Sequence, residues 1–164
     1  MSNDIEIKIF KDDKLSWLDN LTGIIGKAKK SGLKKAARTI LKSVQDMLLA
    51  TDINGVRNIN PKYNDSLFDA IRMTKLDADG ESLKVHIMGT KATGSGTYRL
   101  RFFEGGTKER FAQTYKGKPL KKPRKLGHIG AYNFFDAGVE TSRSTAEQAM
   151  MQQIKKIIAK EQNG

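Results

Sequence analysis

His86 and His128 are the side chains here best suited to moving a proton near neutral pH. With a lysine to hold a phosphorane, two histidines could in principle cleave RNA. Nothing in the sequence places the two together, and His86 lies in a run whose other outward residues are largely cationic. Gly89, Gly94 and Ser95 resemble the first part of a phosphate-binding loop, but Ser95 stands where such a loop needs its lysine. Asp77, Asp79 and Gly80 look like the start of a calcium loop, yet its third Asp/Asn and its closing glutamate are missing, so the stretch reads as a turn. The chain has no cysteine, which excludes a thiol nucleophile, a disulfide framework and a thiolate metal site. Two histidines are too few for a histidine-rich metal centre. The expectation is a protein that is not an enzyme, with no catalytic residue, no cofactor and no metal.

Charge offers more. Of 164 residues, 30 are Lys or Arg and 18 are Asp or Glu, a net charge of +12. The excess is concentrated: residues 21–50 hold seven cations and one acid, and residues 111–130 hold six cations and no acid. Such asymmetry suits a polyanion or an acidic partner surface. In the first segment Lys34, Lys35, Arg38 and Lys42 fall within a ~100° arc of a helix. In the second, Lys116, Lys118, Lys121, Lys122, Arg124 and Lys125 lie close to Tyr115, which adds one stacking surface. These ten residues are the candidates for a DNA-facing or partner-facing surface. There is no zinc-finger or helix-turn-helix spacing and no aromatic pattern of an RNA-recognition sheet, so any nucleic-acid binding is expected to be weak and independent of sequence.

The elements that carry these residues follow from periodicity. Residues 5–9, IEIKI, alternate, which suits a strand; residues 1–14 read as an extended arm or an edge strand. Trp17, Leu18, Leu21, Ile24 and Ile25 have helical spacing weakened by Gly23 and Gly26. A stronger helix runs from about Leu33 to Ala50, with Leu33, Ala36, Ala37, Ile40, Leu41, Val44, Met47 and Leu48 on one face. Asn54-Gly55 and Asn60-Pro61 mark a connection, and Ser66 is placed to cap a short helix over SLFDAIRM. LKVHIMG (83–89) and TYRLRFF (97–103) both alternate and predict a hairpin, with Lys84, His86, Arg99 and Arg101 sharing its exposed face. Residues 104–130, with Pro119, Pro123 and the Lys/Arg run, read as a flexible basic loop. AYNFFDAG (131–138) reads as a short strand or turn. Ser144 and Glu147 form a capping box for a final helix that buries Ala146, Ala149, Met150, Ile154, Ile157 and Ile158. The fold class predicted is α+β: one domain over 1–164, a small antiparallel sheet packed by a long helix in the N-terminal half and by a C-terminal helix. No apolar stretch approaches the ~18 residues of a membrane span, and no apolar leader opens the chain, so a soluble intracellular protein without membrane contact is expected.

The order of these elements resembles that of a known family. An amphipathic helix is followed by NPKYNDSLFDAIRM, by the strand KVHIMG and by YRLRFFEGGTKER; then come a loop and AYNFFDAG running into EQAMMQQIKKIIAK. Over roughly residues 30–160 this resembles the tailed-bacteriophage morphogenesis proteins called minor tail components, tail-completion or head–tail joining proteins. Phe103, Glu104, Gly105, Gly106 and Thr107 approach the family's aromatic-x-Glu-aromatic/Gly-Gly-Thr signature. Pro61 to Ile71 follow its Pro-containing Ser-Ile segment loosely, with Asp65 and Ser66 near the usual Thr-Gly and Ala70 in place of Ser. Asn133, Phe134, Phe135, Asp136 and Ala137 are a reduced form of its Pro-Phe-x-x-Pro-Ala motif. The resemblance implies a non-enzymatic structural protein at the neck or tail top, a homo-oligomeric ring through which DNA passes. Its partners would be other phage neck or tail proteins, with weak non-specific DNA contact, and its location the virion after assembly in the host cytoplasm. Residues 111–128 would then be disordered in the free subunit and would order on assembly. The alternative is a sequence-independent nucleic-acid-binding protein.

Overall fold

The computed structural model describes residues 4–8, 22–59, 66–87 and 95–162. Strand β1 (Asp4–Lys8) is followed by helix α1 (Thr22–Leu49), a single 3-10 turn (Phe68–Ala70), β2 (Ile71–Met73) and β3 (Ser82–Ile87). Helix α2 (Ser95–Gly105), β4 (Arg110–Tyr115), β5 (Lys118–Gly127) and helix α3 (Phe134–Gln162) complete the chain. The class is α+β. Three antiparallel strands form one sheet in the order β1-β3-β2, and β4 with β5 form a separate two-stranded sheet. Residues 4–8 thus pair at one edge of the first sheet, with Ile5 opposite Val85.

On β3 the alternation works as its sequence predicts. Leu83, Val85 and Ile87 are buried, whereas Lys84 is exposed. The buried face packs on α1, whose Leu33, Ala36, Ala37, Ile40, Val44 and Leu48 are buried in the same cluster. Helix α1 begins eleven residues before Leu33 despite its two early glycines. Ile25 and Ala28 explain this, for they pack with Ile154 and Ile158 in a second cluster, so tertiary contact outweighs poor propensity. Helices α1 and α3 run antiparallel: Gly138 lies against Val44, Gln153 donates to Ser31 Oγ at 3.0 Å, and Lys27 meets Glu161 at 3.6 Å.

Four sequence expectations change. Residues 95–105 are a helix and not the second strand of a hairpin. Tyr98, Leu100 and Phe102 do alternate with Arg99 and Arg101, but the residues buried are Leu100 and Glu104, four apart, with Phe103 packed against the core between them. Arg99 and Arg101 therefore sit on α2 and not on a strand paired with the one carrying Lys84 and His86. Residues 110–127, within the stretch expected to be a loop, are two paired strands. Ser66 Oγ accepts from Asp69 N–H at 3.0 Å, but the cap position is Leu67 and the element is one 3-10 turn before β2, not a helix over SLFDAIRM. The last helix starts at Phe134, ten residues before the capping box. The predicted turn at Asn60-Pro61, the glycine-rich stretch 89–94 and the positions of Trp17, Leu18 and Leu21 lie outside the described residues.

Candidate functional site

The ten candidate cations fall on two separate elements. Lys34, Lys35, Arg38 and Lys42 are exposed on α1. Lys35, Arg38 and Lys42 border an open groove of about 610 Å³ between α1 and α3, faced by Thr141 and Thr145. Lys42 is partly neutralised by Asp46 at 3.2 Å. The groove's serines are committed, since Ser43 and Ser142 both donate to Gly138 O, at 2.8 and 2.7 Å. No serine here is set up as a nucleophile. What remains is an open, moderately positive trough that can attract anions.

Lys116, Lys118, Lys121, Lys122, Arg124 and Lys125 are all exposed on the β4–β5 hairpin. Its turn is Lys116-Gly117, both with positive φ, 50° and 78°. That is the signature of a two-residue type I′ turn, whose twist matches that of paired strands. Tyr115 pairs with Lys118 and Phe111 with Lys125, while the ladder is interrupted between Ala112 and Thr114, opposite the stretch holding Lys121, Lys122 and Pro123. Proline is tolerated because β5 pairs on one side only. Lys125 is joined to Glu109, and Lys116 Nζ lies 5.6 Å from the centroid of the Tyr115 ring. Phe111, Tyr115 and Leu126 are 53%, 59% and 53% exposed, so the hairpin offers apolar surface as well as charge. Among the described elements none packs extensively on it.

The hairpin's root is built from the residues that carry the family resemblance. Glu104 is 2% exposed. Its carboxylate accepts from Phe135 N–H at 3.0 Å and from Asp136 N–H at 3.3 Å. These are the second and third helical residues of α3, whose amides a capping side chain normally satisfies from within the same helix. Here the cap comes from thirty-one residues upstream. Burial raises the Glu104 carboxyl above its ordinary value, opposed by these N–H donors and assisted by the nearby Asp136 charge. Tyr132 N–H donates to Phe103 O at 2.9 Å, and Asn133 N–H to Glu104 O at 3.2 Å. Gly106 adopts φ +69°, and a Cβ there would stand 3.0 Å from both Ala131 N and Ile129 O. Thr107 closes the joint twice, its N–H donating to Ile129 O at 2.9 Å and its Oγ1 accepting from Ile129 N–H at 3.0 Å. The Glu-Gly-Gly-Thr segment therefore ties the end of α2 to both the foot of the hairpin and the start of α3.

The other sequence-level candidates are placed apart from this. His86 is half-buried on the central strand and His128 is exposed beyond β5, so the two belong to different elements. Asp77 organises a turn: its carboxylate accepts from Glu81 N–H at 2.8 Å and from Ser82 Oγ at 2.7 Å. These bonds, led by the one from Ser82, lower its pKa. Among the described residues no cluster of His, Asp and Glu is arranged to hold a metal, and no helix is long and apolar enough to cross a membrane. Sequence reasoning missed Glu104 as a cap, and no local signal could have revealed it. The Lys116-Gly117 turn was legible only as a glycine after a polar residue between two short runs. In comparisons with protein-family models, with curated proteins and with solved structures, nothing matches the chain.

Proposed function

We propose that this chain is a non-enzymatic structural protein of tailed-phage morphogenesis, a ring component of the neck or tail-completion region that joins head to tail. One observation supports this above others. The segment by which the sequence resembles that family, Phe103 to Thr107, serves as a joint, capping α3 through Glu104 and clamping the hairpin's foot through Thr107. A motif given over to holding an exposed arm at a set angle suits an assembly subunit. The arm leaves large apolar side chains uncovered, and an isolated two-stranded hairpin is only marginally stable in water, so it gains from a surface that covers it. Head-to-tail contacts of this kind close into rings when the rotation between copies permits.

In this reading the partners are further copies and other phage neck or tail proteins, and the locations are the host cytoplasm during assembly and then the virion. No membrane is involved, and the cations of α1 make weak, sequence-independent contact with passing DNA. Light scattering and negative-stain microscopy over a range of concentration and salt test the proposal. Closed rings are expected, and flanking genes for portal, capsid and tail proteins. A strictly monomeric protein at all concentrations, encoded among metabolic genes, would overturn it.

A further inference from the structure

We infer that the β4–β5 hairpin is a binding face for unpaired nucleic-acid strands, with bases stacking on Phe111 and Tyr115 and phosphates held by the lysines beside them. Phe111 and Tyr115 both stand exposed on β4, 53% and 59%, one on each side of the interruption between Ala112 and Thr114. Across the ladder Phe111 is opposite Lys125 and Tyr115 is opposite Lys118, which places a cation beside each ring. Residues 110–127 carry seven cations and no acid, with Lys125 joined to Glu109 just before them, so the charge favours an anionic occupant and disfavours a second copy of this basic hairpin.

Two anionic occupants remain, an acidic protein and a nucleic acid, and the chemistry of the cations decides between them. Five of the seven are lysines, which are depleted from protein interfaces because desolvating a compact ammonium is costly. Phosphate contacts leave the ammonium groups hydrated and gain from counterion release. The rings are the second discriminator. Duplex phosphates make no use of two exposed aromatic faces, whereas unpaired bases stack on them whatever their identity. The inference goes beyond the proposed ring and stands whether or not a ring forms.

Fluorescence anisotropy of the full chain tests it, with a fluorescein-labelled dT20 strand, a 20-bp duplex and polyglutamate as probes at low and near-physiological salt. The strand is expected to bind more tightly than the duplex. The double variant F111A/Y115A is expected to lose about tenfold or more in strand affinity while keeping its salt dependence. The variant K118A/K122A is expected to flatten the salt dependence instead, and Lys156→Ala on the exposed side of α3 to change binding by less than twofold. Circular dichroism of each variant verifies that the fold is intact. Equal affinity for strand and duplex with F111A/Y115A unaffected, polyglutamate bound as tightly as the strand, or no binding at low salt would each overturn the inference. Light-scattering mass over a range of concentration separates the two readings, because strand binding by a chain that stays monomeric at every concentration counts against the ring and leaves this inference standing.

Discussion

Glu104 joins sequence motif, helix capping and hairpin placement in one side chain. Replacing it with alanine leaves the buried amide of Phe135 without its acceptor, a loss of about 1–3 kcal/mol. Glu104→Gln keeps one acceptor oxygen and is expected to cost less; thermal unfolding at neutral pH checks the order wild type, then Gln, then Ala. The carboxyl also makes stability depend on pH. Its pKa is raised by burial above the ordinary 4.5, so the folded chain holds the proton more tightly than the unfolded one. That contribution is complete below about pH 4.5 and is lost as pH rises through the folded value. The stability of Glu104→Gln relative to wild type should therefore improve as pH is raised from 4 towards neutrality, and a difference that does not change would mean that the carboxyl titrates alike in the folded and unfolded chain. Gly106 is the other residue on which the joint turns. Its positive φ and the neighbouring backbone of residues 129–131 leave no room for a side chain, so Gly106→Ala should loosen the hairpin's foot.

Among elements, the α1–α3 pair depends on close approach at one crossing. A Cβ on Gly138 would come within 2.6 Å of Val44 Cα, and backbone cannot step aside as a side chain can. Gly138→Ala is thus expected to destabilise by about 1–3 kcal/mol, the range for overpacking, despite alanine's better helix propensity. Gly32→Ala is the control, since the nearest atoms there belong to the flexible side chains of Ile154 and Met150. A smaller loss of Tm for Gly32→Ala than for Gly138→Ala checks the argument. In the hairpin, Lys116 occupies a left-handed position that asparagine adopts more readily. Lys116→Asn should raise amide protection in β4 and β5, read by hydrogen exchange, without altering that of α1.

For the whole molecule, the helix pair and the first sheet share one core, whereas the hairpin stands outside it. Hydrogen exchange should accordingly show the strongest protection in α1, β3 and α3 and the weakest in residues 110–127 of the free chain. Assembly or strand binding should raise protection in the hairpin selectively. Replacing residues 110–127 by a short Gly-Ser link should leave the Tm within a few degrees and remove both self-association and strand binding. A large fall in Tm would mean that the hairpin belongs to the core after all.

The sequence by itself determined the class, the long basic helix and the face of β3 that is buried. In each case the signal is local periodicity: one stripe at helical spacing over Leu33 to Leu48, one alternation over Leu83 to Ile87. It also determined where charge accumulates, because charge belongs to residues and not to their arrangement. Tertiary structure decided the rest. TYRLRFF satisfies a strand's period and a helix's at once, and burial of Leu100 and Glu104 against the core selects the helix. Helix α3 looks interrupted at Gly138 and Ser142 because small residues, not apolar ones, line its tightest crossing with α1. Its true start is hidden for a related reason: the cap is a carboxylate on another helix, and only folding brings Glu104 to the amides of Phe135 and Asp136.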